Sequence, residues 1–259
     1  MNLSRLRYHI KRFLRDTPLG DSIIAAVMKR GLRTGKSQGL STPAELGRYL
    51  DQAIADLTAD GGKQLTYFEA GVFAGDSLVV WSQRCDAAGV ETSIYGADSF
   101  AGLPDSVAGD EGSWFPGSFY CPKAVTEWNL ERKGLSKDRV RLIEGWFDQS
   151  LTPALAEEIR TVDVALLDAD AYSSTVPVLE FLGPLLADRV WLIFDDWYSG
   201  GNLVDSTGKT RGIGVERAFD EWCSGAGSGW DVEPVGDYEY HGDESRLAGR
   251  VFRLTATEG

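Results

Sequence analysis

The densest chemistry in this 259-residue chain is four aspartates in two short runs, Asp168-Ala169-Asp170 and Asp195-Asp196. Each run closes a stretch of apolar residues, VDVALLDA at 162–169 and VWLIFDD at 190–196. Carboxylates crowded together repel one another and take up protons unless a cation is present. Magnesium prefers oxygen ligands in octahedral geometry, so such a cluster can hold it and leave positions for water and substrate. Only His9 and His241 compete as imidazole ligands. One acidic residue at a strand end is often only a cap on the next turn. Four at two strand ends point to a metal.

A second constellation lies upstream, in Phe68-Glu69-Ala70-Gly71-Val72-Phe73-Ala74-Gly75-Asp76-Ser77. The pattern E-x-G-x-x-x-G follows an apolar run and opens a helix-compatible segment. Glycines there let the backbone turn tightly and approach a ligand without Cβ clashes. Taken alone, it suits a tight strand-to-helix turn equally well. Asp98 strengthens the ligand reading: it ends the next apolar run, SIYGAD, 29 residues beyond Glu69, where a carboxylate can accept hydrogen bonds from ribose hydroxyls. The spacing departs from the dinucleotide G-x-G-x-x-G, and no phosphate-binding lysine follows as in a P-loop. A nucleoside cofactor without phosphates fits better, and S-adenosylmethionine is the common one.

These residues need a scaffold that brings strand ends together. Five short apolar runs, at 65–70, 93–98, 140–145, 162–169 and 190–196, are separated by helix-compatible segments. Nearly continuous apolar runs suit strands buried on both faces of a parallel sheet. Alternation with helices predicts an α/β fold, a Rossmann-like doubly wound and mostly parallel sheet. Ligands then bind outside the carboxyl ends of the strands, where Glu69, Asp98, Asp168, Asp195 and Asp196 fall. Asp163, near the start of its strand, is set aside. Residues 1–60 read as an N-terminal helical cap and 61–259 as the catalytic domain. One cap helix starts near Ser41-Thr42-Pro43-Ala44-Glu45 and stops near Asp60-Gly61-Gly62. In the tail, VEPVGDYEY and GRVFRL are expected to form an antiparallel hairpin on the sheet edge.

The run LLDADAYSST resembles the D-G-D-L-Y-E-S-T motif of the macrocin and mycinamicin sugar O-methyltransferases. FEAGVFAGDS, ADSFAGLPDS, EGWFDQSL, IFDDWY and VERAFDEW are similar to further motifs of that family, in the same order, across about 65–222. The resemblance implies a class I methyltransferase fold, S-adenosylmethionine and Mg²⁺ as cofactors, and a sugar hydroxyl as acceptor. It makes Asp168, Asp195 and Asp196 metal ligands and Asp170 the general base, with Asp168 also at the reacting centre and beside the cofactor. It makes Glu69, Gly71, Gly75, Ser77, Asp98 and Ser99 cofactor contacts. Trp146 and Phe147 are read either against adenine or as core. Some relatives carry a histidine base after the second strand; the loop AGDEGSWFPGSFYCPKAV has none, which favours Asp170. The aromatics Trp114 to Tyr120 in that loop are read as a lid or acceptor wall, or else as a buttress.

Composition narrows the partners. A net charge of −13 argues against nucleic acid. Residues 1–36 nevertheless hold nine Lys and Arg against two Asp, which reads as a basic helix packed on its own acidic body or on a second subunit, with anionic lipid as the alternative. Three scattered cysteines form no metal or disulfide pattern and suit reduced thiols in the cytoplasm. No apolar run is long enough for a transmembrane helix, and no secretory signal is expected. A homodimer is expected from the resemblance alone. The rival readings are a D-x-D glycosyltransferase, a binding protein with a retained fold, and methyl transfer to a polysaccharide, a glycolipid or a catechol-like phenol.

Overall fold

Neighbouring residues on the central strands bury toward opposite faces, and this alternation organises the molecule. Tyr67, Leu166 and Ile193 join one apolar cluster, while Phe68, Leu167 and Phe194 join another across the sheet. Both faces are apolar because both are covered, which is why the strands read as continuous apolar runs.

The computed structural model describes residues 17, 20–34, 44–62, 64–104, 117–198, 214–240 and 243–257. The strands are β1 (Gln64–Ala70), β2 (Glu91–Asp98), β3 (Val140–Glu144), β4 (Val162–Leu167), β5 (Leu186–Phe194), β6 (Trp230–Tyr240) and β7 (Asp243–Ala256). They form one sheet in the order β3-β2-β1-β4-β5-β7-β6. The first five are parallel to their neighbours, and the β6–β7 hairpin adds antiparallel to β5. The expected doubly wound sheet and edge hairpin are both present. Strand order reverses between β1 and β4, which creates the crevice where such sheets bind ligands.

The helices are α1 (Gly20–Thr34), α2 (Ala44–Thr58), α3 (Asp76–Ala88), α4 (Lys123–Arg132), α5 (Phe147–Ser150), α6 (Pro153–Ile159), α7 (Tyr172–Leu182) and α8 (Gly214–Ser224). Helix α2 places Leu46, Tyr49, Leu50, Ala53 and Ile54 at helical spacing, and all five bury in the same cluster as α3. Helices α7 and α8 cover the opposite face through Val178, Leu179, Leu182, Phe219 and Trp222. Of the basic segment 1–36, residues 1–16 lie outside the described residues. Helix α1, which carries Lys29, Arg30 and Arg33, lies against α4, where Met28 and Leu32 pack on Cys121 and Val125, and Lys29 and Arg33 stand 5.5 and 5.2 Å from the Trp128 ring. Among the described residues, no helix is long and apolar enough to cross a membrane. All three cysteines are free thiols.

One close backbone approach fixes the crevice. Gly71, just past β1, has φ 90°, and a Cβ there would lie 1.8 Å from the Asp168 carbonyl oxygen. Its N–H donates to Ala97 O at 2.8 Å, so it is held between β2 and β4. Gly71→Ala is therefore expected to cost about 2–5 kcal/mol, from a left-handed backbone plus a backbone clash. Urea denaturation of the variant checks this.

Candidate active site

Strand register brings the sequence-predicted residues into one row. Ala70 pairs with both Ala97 and Leu167, and Leu167 pairs with Phe194. The next residues, Gly71, Asp98, Asp168 and Asp195, therefore stand side by side at the carboxyl edge. Backbone bonds continue the ladder there, from Asp168 N to Ala70 O at 2.8 Å and from Asp195 N to Leu167 O at 3.0 Å. Above this row opens a cavity of about 520 Å³.

Asp168, Asp195 and Asp196 each bring a carboxylate oxygen to within 4.8 Å of the others. Burial is the main force raising the Asp168 and Asp170 carboxyls well above their ordinary range, and the neighbouring aspartates add to it. Burial and Asp196 push Asp195 up to about 7, against a hydrogen bond from Tyr238 that favours its charged form. The set is thus an array of hard oxygen donors in need of positive charge, which fits Mg²⁺. Asp170 also lines the cavity, in left-handed backbone at φ 61°. Non-glycine residues held there are uncommon and gather at functional sites.

The residues expected to contact a cofactor divide in a way the sequence did not reveal. Gly71, Asp98, Ser99 and Trp146 line the cavity, with Phe147 beside them. Asp98 is also the organiser of two loops. Its Oδ2 accepts the N–H groups of Val72 and Phe73 at 2.8 and 2.9 Å, and its Oδ1 accepts Phe100 N–H at 2.6 Å. Burial raises this carboxyl, although all three amides favour its charge. From the other side, Thr126 Oγ1 donates to Phe73 O, and Asn129 Nδ2 donates to Ala74 O at 2.8 Å.

Glu69, Gly75 and Ser77 stand outside the lining. Glu69 is fully buried, accepting Tyr67 Oη at 2.8 Å and Ser77 Oγ at 2.6 Å, so it ties β1 to the first turn of α3. Gly75 begins that helix in left-handed backbone at φ 80°. Asp163 accepts Thr66 N–H at 2.7 Å, a structural role that suits its place outside the site. Of the aromatic loop, Trp114 to Pro116 lie outside the described residues. Phe119 lines the cavity, whereas Tyr120 donates to Asp21 on α1 at 2.7 Å and acts as a buttress.

Sequence reasoning missed several groups. Asp148, Gln149, Ser173 and Ser174 line the cavity, the last two from the first turn of α7. Tyr238, on the edge hairpin, donates to Asp195 Oδ1 at 2.6 Å. The first two sit inside EGWFDQSL and the serines inside LLDADAYSST, so position within those runs was the available signal. Tyr238 carried none.

Fold and site together define a class I methyltransferase scaffold, and one solved relative, the O-methyltransferase NovP, superposes with a TM-score of 0.61 at 22% identity over 82% of this chain and 79% of its own. The macrocin-O-methyltransferase (TylF) family matches residues 48–211, more than half of the chain, and the protein belongs to that family. It is 34% identical over 171 residues to 8-demethyl-8-(2,3-dimethoxy-alpha-L-rhamnosyl)-tetracenomycin-C 4'-O-methyltransferase of Streptomyces olivaceus, covering 62% of this chain and 64% of the relative. It is 29% identical over 143 residues to mycinamicin III 3''-O-methyltransferase of Micromonospora griseorubida, covering 50% and 54% respectively. The chain thus spans less than two thirds of the length of either relative.

Glu69 yields a pH prediction. Burial raises its carboxyl from the ordinary 4.5 to about 8, so between those values the folded protein holds a proton that the unfolded chain has released. Stability from this group is present at low pH and lost as pH rises toward about 8. Glu69→Gln removes the titration. Its melting temperature is expected to fall less steeply than the parent's over that window, as scanning calorimetry would register.

Proposed function

We propose that the chain is an S-adenosylmethionine-dependent O-methyltransferase that uses Mg²⁺ to methylate a hydroxyl of a sugar. The observation that carries this reading is the charge of the cavity. Six aspartates line it (Asp98, Asp148, Asp168, Asp170, Asp195 and Asp196), and no Lys, Arg or His does so among the described residues. Such walls repel phosphate and suit a sulfonium and a divalent cation. That disfavours the D-x-D glycosyltransferase alternative, which must meet a diphosphate.

Asp168, Asp195 and Asp196 would hold the metal. When bound, Mg²⁺ supplies charge that stabilises a developing alkoxide, and S-adenosylmethionine supplies the methyl group. Asp170 accepts the hydroxyl proton on its carboxylate, a step that general-base catalysis rewards when the base lies within hydrogen-bond reach. Asp98 retains one acceptor site, on Oδ1, beyond its three amide bonds and, with Ser99, takes the ribose. Trp146 and Phe147 face adenine. Glu69, Gly75 and Ser77 serve the cofactor indirectly, by shaping the turn that carries Gly71. Phe119 and Leu103 exclude water on the acceptor side. A sugar acceptor is supported by the two relatives, one named for a rhamnosyl compound and the other for a 3''-O position.

Calorimetric titration of S-adenosylmethionine, followed by a mass-spectrometric methyl-transfer screen over vicinal-diol glycosides and a catechol, tests the proposal. Expected are binding of the cofactor, and transfer to a glycoside that EDTA abolishes and Mg²⁺ restores. Asp170→Asn is expected to keep cofactor binding while lowering turnover by about 10²–10⁴-fold. Failure of the cofactor to bind would remove the methyltransferase reading. Turnover that resists EDTA would remove the metal.

A further inference from the structure

The residues after β5, Asp195-Asp196-Trp197-Tyr198, carry two of the three clustered ligand carboxylates, and they are gripped from outside the family match. The match ends at residue 211, whereas the β6–β7 hairpin begins at Trp230. The hairpin reaches back to this turn at three points. Tyr238 Oη donates to Asp195 Oδ1 at 2.6 Å. Tyr198 N–H donates to Ala248 O at 3.1 Å. Arg250 donates through Nη2 to Tyr198 Oη at 2.5 Å and through Nε to Asp237 Oδ1 at 2.6 Å, so its guanidinium links the turn to β6.

The Tyr238 contact is built into the strands. Its ring is fully buried, in the same apolar cluster as Tyr49 and Val251. It reaches Asp195 only because its cross-strand partner on β7 is Gly249. A Cβ at Gly249 would lie 2.0 Å from Tyr238 Cζ and 2.3 Å from its hydroxyl. No positive φ calls for a glycine there, so space for the ring is the physical reason for it.

We infer that Tyr238 is a positioning residue for the metal site: its phenol, admitted by the slot at Gly249, fixes the rotamer of Asp195 and leaves Oδ2 for the cation. This inference rests on the magnesium reading above. A carboxylate that must meet two others around one ion loses entropy if it is free to rotate, and an outer hydrogen bond removes that freedom in advance. The hairpin is thereby part of the site, although no hairpin residue lines the cavity among the described residues.

Mn²⁺ serves as the probe, titrated into the full chain and followed by the electron paramagnetic resonance of the free ion, with melting curves recorded in parallel. Tyr238→Phe keeps the ring and removes only the donor. It is expected to weaken Mn²⁺ binding by about ten-fold or more. Tyr49→Phe is the control, because Tyr49 Oη donates to Asp237 O at 2.9 Å on the same hairpin without touching a ligand. It is expected to lower the melting temperature and leave Mn²⁺ affinity close to the parent's. Parent-like affinity in Tyr238→Phe, or an equal loss in Tyr49→Phe, overturns the positioning role and leaves the metal reading standing. Absence of Mn²⁺ binding to the parent overturns both.

Discussion

Mutual repulsion among carboxylates at two adjacent strand ends is the constraint on which the rest of this structure turns. Asp168 and Asp170 on one side and Asp195 and Asp196 on the other are forced together by the pairing of β4 with β5, and no cation lines their cavity among the described residues. The charge of Asp168, Asp170 and Asp195 is penalised twice, by lost water and by the neighbouring aspartates. Proteins seldom keep such an arrangement for stability, because an unpaired buried charge costs far more than a surface one. Its persistence is the strongest physical argument for a ligand that is itself positive.

The scaffold sustains that tension by removing freedom everywhere around it. Gly71 lets β1 pass against the Asp168 carbonyl, so the two strand ends stay in register. Asp98 gathers three amide groups and sets the loops on either side of the crevice. Glu69 anchors the first turn of α3 from beneath. The edge hairpin closes the other flank through Tyr238 and Arg250. These supports lie on rigid elements, which hold a site more precisely than loops do.

Much of this was legible in the residues. The parallel strands were readable because burial on both faces makes them continuous apolar runs. The cluster of strand-end aspartates was readable because alternation of strands and helices makes β4 and β5 neighbours. What could not be read was which strand-end acid faces the cavity. Glu69 and Asp98 look alike in sequence, yet one is sealed beneath the turn while the other lines the crevice, a difference set by which face of the strand each occupies and by the loops above it. The left-handed backbone of Asp170 was equally hidden, since only the turn between Ala169 and Ala171 imposes it. Tyr238 was the hardest to see: it lies 43 positions from Asp195, and its reach depends on a glycine across the strand pair.

The central claim is that Asp168 and Asp195 hold protons which a divalent cation displaces. Mg²⁺ titration at pH 7 in buffers of differing ionisation enthalpy counts the protons released on binding. The account predicts saturable binding with net proton release, because Asp195 is raised to about 7 and burial lifts Asp168 well above the ordinary carboxylate range. Binding without proton release, or no binding at all, would contradict it.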